Sequence, residues 1–213
     1  MRLLVVLGCL LAGCLAQGPQ PCTSPPLLTG KLSVLTQNEK LSAYAKYLYD
    51  ALGERMRFYE IGTYDNKSFT YDALLLYKQA VMYEIHDHNK TCKKLPLKGE
   101  FHPMKVPDDA SLLGQVVLGS SSGPGQGVLV NTWAGELPES GGKYMATVTE
   151  FGCIPVSSFV HTEKFGWVVS SLFDNTIGIT DPDLLNPPSF CLDKVSESDG
   201  EAVDFLSLFQ KMR

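Results

Sequence analysis

Three groups of residues in this chain have types and spacings that chemistry uses. Gly119-Ser-Ser-Ser-Gly123 matches the Gly-x-Ser-x-Gly elbow that presents a nucleophilic serine, here Ser121. An elbow needs a strand before the serine and a helix after it. Gln115-Val-Val-Leu118 supplies the strand, but Pro124-Gly-Gln-Gly127 cannot propagate a helix. The better reading is a flexible hairpin tip. His86 and His88 stand two apart on an extended stretch, so both rings could face one way and bind zinc or copper. A site would need one or two further ligands, and the sequence brings neither His102 nor His161 to them, so solvated histidines at a strand end are preferred. Four histidines still leave room for a change of behaviour between about pH 7 and pH 5. Carboxylates at Asp108-Asp109, at Asp181-Pro-Asp183 and at Glu197, Asp199, Glu201 and Asp204 offer calcium ligands, yet none follows the EF-hand spacing. No catalytic residue and no metal ligand is assigned, and an enzyme is not expected.

Other residues carry covalent rather than catalytic chemistry. Asn66-Lys-Ser68 and Asn89-Lys-Thr91 are glycosylation acceptors, which need exposed loops in a secreted protein. The second lies inside Tyr83-Glu-Ile-His-Asp-His-Asn-Lys-Thr-Cys92, an alternating strand that runs through the sequon into a cysteine. Residues 1–16 hold one positive charge, an apolar block from Leu3 to Leu15 and a small residue, Ala16, which is the pattern of a secretory signal peptide cleaved after Ala16. Leu11-Ala-Gly-Cys14 also mimics a bacterial lipoprotein box, but two sequons and paired cysteines favour a eukaryotic secretory route. Once Cys9 and Cys14 leave, Cys22, Cys92, Cys153 and Cys191 remain, and in an oxidising compartment these imply two disulfides with three possible pairings. Zinc would call for closely spaced pairs, which are missing.

With 213 residues there is room for one sizeable domain or two small ones, 44% hydrophobic content is ordinary for a globular protein, and residues 17–213 are expected to form a single β domain. No later apolar run reaches the length of a membrane span, so a soluble protein is expected. Removing Arg2 takes the formal net charge from -5 to about -6, and no basic run suggests nucleic acid. Residues 17–30 are proline-rich and read as an arm tethered by Cys22. Leu32 and Val34 begin a strand. Residues 39–52 fit a helix or a strand entering a turn near Gly53, and the pattern leaves both open. Met56 to Ile61, Phe69 to Tyr77 and Val81 to Ile85 read as strands, the last two as a hairpin. Residues 93–114 read as a covering loop. Strands follow at 115–118, 128–133, 144–150, 156–160 and 166–173, then a turn-rich stretch over 174–191. Residues 196–213 carry an apolar stripe of Ala202, Val203, Phe205, Leu206, Phe209 and Met212, with acids early and Lys211 and Arg213 late, which predicts an acidic helical tail. About nine short strands with helix at the end predict an antiparallel β protein. Several strands are apolar on both sides, as a curved sheet with a cavity inside and a cover outside requires.

In this order, several of these motifs resemble the ependymins and ependymin-related proteins, and the likeness spans nearly the whole mature chain. It rests on Gln20-Pro-Cys22 with Pro25-Pro26-Leu27, on Asn66-Lys-Ser68, and most of all on Tyr83 to Lys94. It continues through Phe101-His-Pro-Met104, Val106-Pro-Asp-Asp-Ala110, Gly152-Cys-Ile-Pro-Val156, Asp181-Pro182 and Pro187-Pro-Ser-Phe-Cys191. The set looks closer to the fish type than to the mammalian branch, whose extra cysteine pair this chain lacks. The resemblance implies a fold of two stacked, curved antiparallel sheets enclosing an apolar pocket, similar to bacterial lipoprotein carriers. It implies pairing of Cys22 with Cys153 and of Cys92 with Cys191, and glycans on Asn66 and Asn89. It also implies a secreted, in some members lysosomal, homodimer linked to cell–matrix adhesion, with calcium binding ascribed partly to glycans. The expectation is therefore a binding protein that holds a lipid or fatty acid between sheets, lined by Trp133, Phe159, Trp167 and Phe173. Its rival is a calcium-dependent extracellular matrix adhesion glycoprotein.

Overall fold

The computed structural model describes residues 18–137, 142–193 and 195–197. The expected signal peptide lies outside these residues, as does the expected helical tail beyond Glu197. Chain order gives β1 (Leu27–Thr36), β2 (Leu41–Asp50), β3 (Arg55–Tyr64), β4 (Lys67–Leu76), β5 (Val81–His86) and β6 (Thr91–Pro96). After a long connection come β7 (Ser111–Gly119), β8 (Gly127–Glu136), β9 (Lys143–Thr149), β10 (Pro155–Thr162) and β11 (Gly166–Ile177). A four-residue helix, α1 (Phe190–Asp193), precedes a short β12 (Val195–Glu197), which takes in the first two residues of the expected tail. The protein is mainly β, as the short alternating segments predict.

Hydrogen bonding runs through all twelve strands in the order β12-β6-β5-β4-β3-β2-β1-β11-β10-β9-β8-β7. Every pairing is antiparallel except β12 beside β6. Two meanders, β1–β6 and β7–β11, thus join where β1 meets β11, and the sheet does not close. The open choice over 39–52 resolves to β2. There Leu41, Ala43, Ala45, Tyr47 and Tyr49 are buried at every second position, a period only a strand can use.

Directly paired residues share a face, so the registers divide the sheet into two sides. The inner side carries Leu28, Leu32 and Val34 of β1, the alternate residues of β2 from Leu41 to Tyr49, Phe58 of β3, Ala73 and Leu75 of β4, Met82 of β5 and Val168 of β11. Burying a leucine, phenylalanine or methionine in such a cluster contributes roughly 1.5–3 kcal/mol each. Gly30 sits in this face because a Cβ there would collide with Asn175 Oδ1. The space it leaves lets the Tyr47 hydroxyl donate to Asn175 Oδ1 at 2.7 Å, and Asn175 Nδ2 donates to the Pro155 carbonyl at 2.8 Å. This bridge ties β2 to the end of β11 and the start of β10.

Each side has its own cover, and each cover is stapled. Residues 97–110 run from the β6 edge to the β7 edge over the inner side, as the expected covering loop should. Phe101 packs on Tyr49 and Tyr77, and the Met104 N–H donates to the Tyr49 hydroxyl at 2.9 Å. The N-terminal arm pairs with this crossing segment through Ser24 N–H to Met104 O and Val106 N–H to Cys22 O, both 2.9 Å. The Cys22–Cys153 disulfide, Cα–Cα 6.0 Å, fastens arm and cover to the β9–β10 turn. On the outer side, residues 179–191 lay Ile179, Leu184, Leu185 and Phe190 over Leu48, Leu74, Leu76, Tyr83 and Ile85. There Cys92–Cys191, Cα–Cα 5.1 Å, joins β6 to α1.

Candidate ligand-binding site

A strand buries a charged residue on its apolar face only when something offsets the cost. Glu60 breaks that rule. It lies in phase with Met56 and Phe58 on the inner side of β3, is 2% exposed, and neither carboxylate oxygen has a hydrogen-bond partner. Burial pushes its carboxyl up to about 7. Its immediate neighbours are small. Ala45 stands opposite on β2, with Ala43 beside it, Gly62 follows on the same face of β3, and Ala73 flanks on β4. Gly62 is required, because a Cβ there would press on the backbone of Ser42 and Ala43. The partner across β4 is Tyr71, whose hydroxyl burial raises well above its usual range, with the Glu84 and Glu60 carboxylates adding to the shift.

Two further buried polar atoms lack a partner, Trp133 Nε1 on β8 and the Tyr144 hydroxyl on β9, and both residues again face inward. Tyr144 lies over Gly135, where any Cβ would meet its ring. Among the described residues, every buried side-chain polar atom without a hydrogen bond therefore belongs to the inner side. Between these two regions the inner side is less tightly covered. Ala146, Ser158, Val160, Ser170 and Leu172 are half-buried, whereas β2 and β3 are closed. The combination is an apolar face with a few unpartnered polar atoms set in it, at β3 and at β8–β9, and apolar lining with a small number of polar groups is the composition of small-molecule sites.

The expected lining divides. Trp133 reaches the inner side and packs with Val106, Val148 and the Cys22–Cys153 pair. Phe159, Trp167 and Phe173 lie on the outer side instead, because Phe159 pairs with Val169, His161 with Trp167, and Phe173 with Lys31. Trp167 stacks edge-on to His161 at 5.3 Å, and Phe173 packs at 5.7 Å from Tyr44. Alternation groups such residues correctly but does not say which group points inward.

The other candidates have these places. Ser121 sits in the β7–β8 connection, with a strand on each side and no helix following. The His86 and His88 rings are 6.3 Å apart, and Glu84 Oε1 lies 3.3 Å from His86 Nε2. Among the described residues no group of three His, Cys, Asp or Glu is placed to hold a metal ion. Asn66 and Asn89 are exposed at the β3–β4 and β5–β6 turns, and Thr91 Oγ1 donates to Asn89 Oδ1 at 2.5 Å. No helix among the described residues is long and apolar enough to cross a membrane.

An outer cavity of about 880 Å³ opens between β3–β5 and the 179–191 cover, lined in part by Tyr59, Asp72, Asp181, Asp183 and Phe190. Asp72 is committed there. It accepts from Arg57 Nε at 2.9 Å and from the neighbouring guanidinium nitrogen at 2.8 Å, while Arg57 also donates to the Leu184 carbonyl at 2.6 Å. Burial raises the Asp72 carboxyl, and the Arg57 fork pulls against that shift.

A family model described as Ependymin matches residues 65–191. Over 208 residues the chain is 33% identical to Ependymin-2 of Carassius auratus, covering 97% of this chain and 96% of that protein. Over 213 residues it is 34% identical to Ependymin-1 of Oncorhynchus mykiss, covering 96% and 94%. It is 29% identical over 194 residues to Mammalian ependymin-related protein 1 of Mus musculus, covering 88% and 83%.

Proposed function

This chain belongs to the ependymin family, and from that premise we propose that it is a secreted glycoprotein that carries an apolar molecule, a fatty acid or another lipid, against the inner side of its sheet. The observation that carries this reading is the set of unpartnered buried polar atoms on Glu60, Trp133 and Tyr144, all set in one apolar face. A buried polar group without a partner costs about 1–3 kcal/mol, and a ligand head that meets it recovers that cost. The apolar part of the ligand would bind by surface burial, at roughly 25 cal/mol per Å². Glycans at Asn66 and Asn89 would stand on turn tips, clear of the inner side. The test is titration of purified protein with Nile red, an uncharged apolar dye. A saturable signal that an unlabelled lipid displaces supports the proposal, and a linear, undisplaced signal refutes it.

Calcium-dependent adhesion to extracellular matrix is the second reading, and one observation favours it. Asp87, Asp181 and Asp183 make one rim of the outer cavity acidic beside the turn that carries Asn89, an acidic surface rather than a preformed ion site. Matrix binding that needs calcium and disappears on deglycosylation would support it. Binding that survives chelation and deglycosylation would count against it. In either reading we place a homodimer contact on the outer side of the central strands, where Leu35 is 53% and Ile61 58% exposed beside Tyr44 and Phe173.

A further inference from the structure

We propose that Glu60 is the head-group anchor of the inner site and that it selects amphiphiles whose head donates hydrogen bonds, a long-chain amine above all, over those with an anionic head. This rests on the ligand reading above and narrows it: of the lipids named there, a fatty acid is admitted as its neutral acid, which donates one hydrogen bond, and disfavoured as its carboxylate. Two independent features of the structure meet at this position. One is a carboxylate at 2% exposure with both oxygens unbonded. The other is the set of small residues beside it: Ala45 directly opposite on β2, Ala43 and Ala73 diagonally across on β2 and β4, and Gly62 next on the same face of β3, with Tyr47 and Tyr71 as the bulky neighbours. An ionised carboxylate can only accept hydrogen bonds, so its complement is a donor. An ammonium head supplies donors and a compensating charge, which is what a buried anion needs. An alcohol supplies one donor. A sulfonate or carboxylate head supplies none and adds like charge.

The charged and titratable groups facing Glu60 agree with this selectivity. Tyr71 faces it from β4 and Tyr47 lies diagonally on β2. One strand further out, Glu84 of β5 adds a second carboxylate to the same side, held near His86, with Lys93 of β6 paired opposite Glu84. Tyr71 thus stands between two acids; burial raises its hydroxyl, and the Glu84 and Glu60 carboxylates add to that shift. Protonation of Glu60 as the medium becomes acidic removes its charge and narrows the preference.

The experiment displaces Nile red from the full secreted chain with dodecylamine, 1-dodecanol and dodecane-1-sulfonate, each below its aggregation limit. These heads keep their charge between about pH 5 and pH 7.5, so any pH effect belongs to the protein. The expected order near pH 7.5 is amine, then alcohol, then sulfonate, with the amine favoured over the sulfonate by about tenfold or more. Near pH 5 that gap shrinks. Glu60→Gln, which keeps shape and removes charge, brings amine and sulfonate to within about threefold of each other at both pH values. If wild type and Glu60→Gln show the same order and spacing, the assignment of Glu60 is overturned while the site stands. If no probe displaces the dye from wild type, the ligand reading itself fails. The wild-type order alone also decides the point should the variant be lost to misfolding, because an anion-first order contradicts the proposal.

Discussion

Glu60 holds its proton more tightly in the fold than in the unfolded chain, since burial lifts its carboxyl from 4.5 to about 7. The sign of the linkage follows. Below about pH 4.5 the group is neutral in both states and the fold bears no charge penalty. As pH rises the unfolded chain ionises first, so stability declines, and above about pH 7 the full penalty is present. At about 1.4 kcal/mol per pH unit over that interval, the penalty is on the order of 3 kcal/mol. Glu60→Gln should therefore raise the thermal midpoint near pH 8 and change it little near pH 4.5. A variant that melts lower than wild type near pH 8 would show that the charge is stabilised in the fold. This residue was missed in the sequence, where Met56 to Ile61 reads simply as an alternating strand. Its signal was nonetheless present, because Glu60 keeps the phase of Met56 and Phe58 while Arg57 and Tyr59 take the other face. A charge in the apolar phase marks a position that costs stability.

At the scale of elements, the outer cover depends on a buried ion pair. Arg57 is nearly enclosed, grips Asp72 with two nitrogens and reaches the Leu184 carbonyl of the 179–191 cover. Breaking such a pair by removing one member leaves an uncompensated buried charge and costs about 3–5 kcal/mol. Asp72→Ala should lower the urea midpoint accordingly and expose the 179–191 segment to limited proteolysis before the sheet unfolds. Cleavage elsewhere first, with unchanged stability, would contradict this role. Most strands were legible from alternation, and the covering loop from its prolines. β2 was not decidable, because Leu41, Tyr44, Tyr47 and Leu48 also fit a helical stripe and the alanines at 43 and 45 carry little pattern of their own. β6 was hidden within the proline-rich loop, since its inward and outward residues mix Cys92, two lysines and Leu95. The inward side of β10 and β11 was likewise illegible. It is set by pairing to β1 at one flank and β9 at the other, a long-range fact that puts Phe159, Trp167 and Phe173 outside and only Trp133 within.

For the whole molecule, two meanders joined at β1 and β11 make one sheet with a cover on each side, and two disulfides pin one cover apiece. That arrangement accounts for strands that are apolar on both faces. Among the described residues it leaves apolar side chains uncovered along β7 and the start of β8, from Leu112 to Val128, and around Leu35, Tyr44, Ile61 and Phe173 on the outer side of the central strands. If copies of the chain meet on that outer side, Ile61→Lys should give a monomer by light scattering at concentrations where wild type is a dimer, with a melting temperature that no longer rises with protein concentration. Two species of equal mass would move the contact elsewhere. The inner side bears the central claim, and native mass spectrometry of the secreted, enzymatically deglycosylated protein tests it most directly, with organic extraction alongside. The account predicts an excess mass near neutral pH that extraction recovers as an amphiphile, and whose occupancy changes near pH 5. Protein at its bare sequence mass at both pH values, with no lipid in the extract, would contradict it.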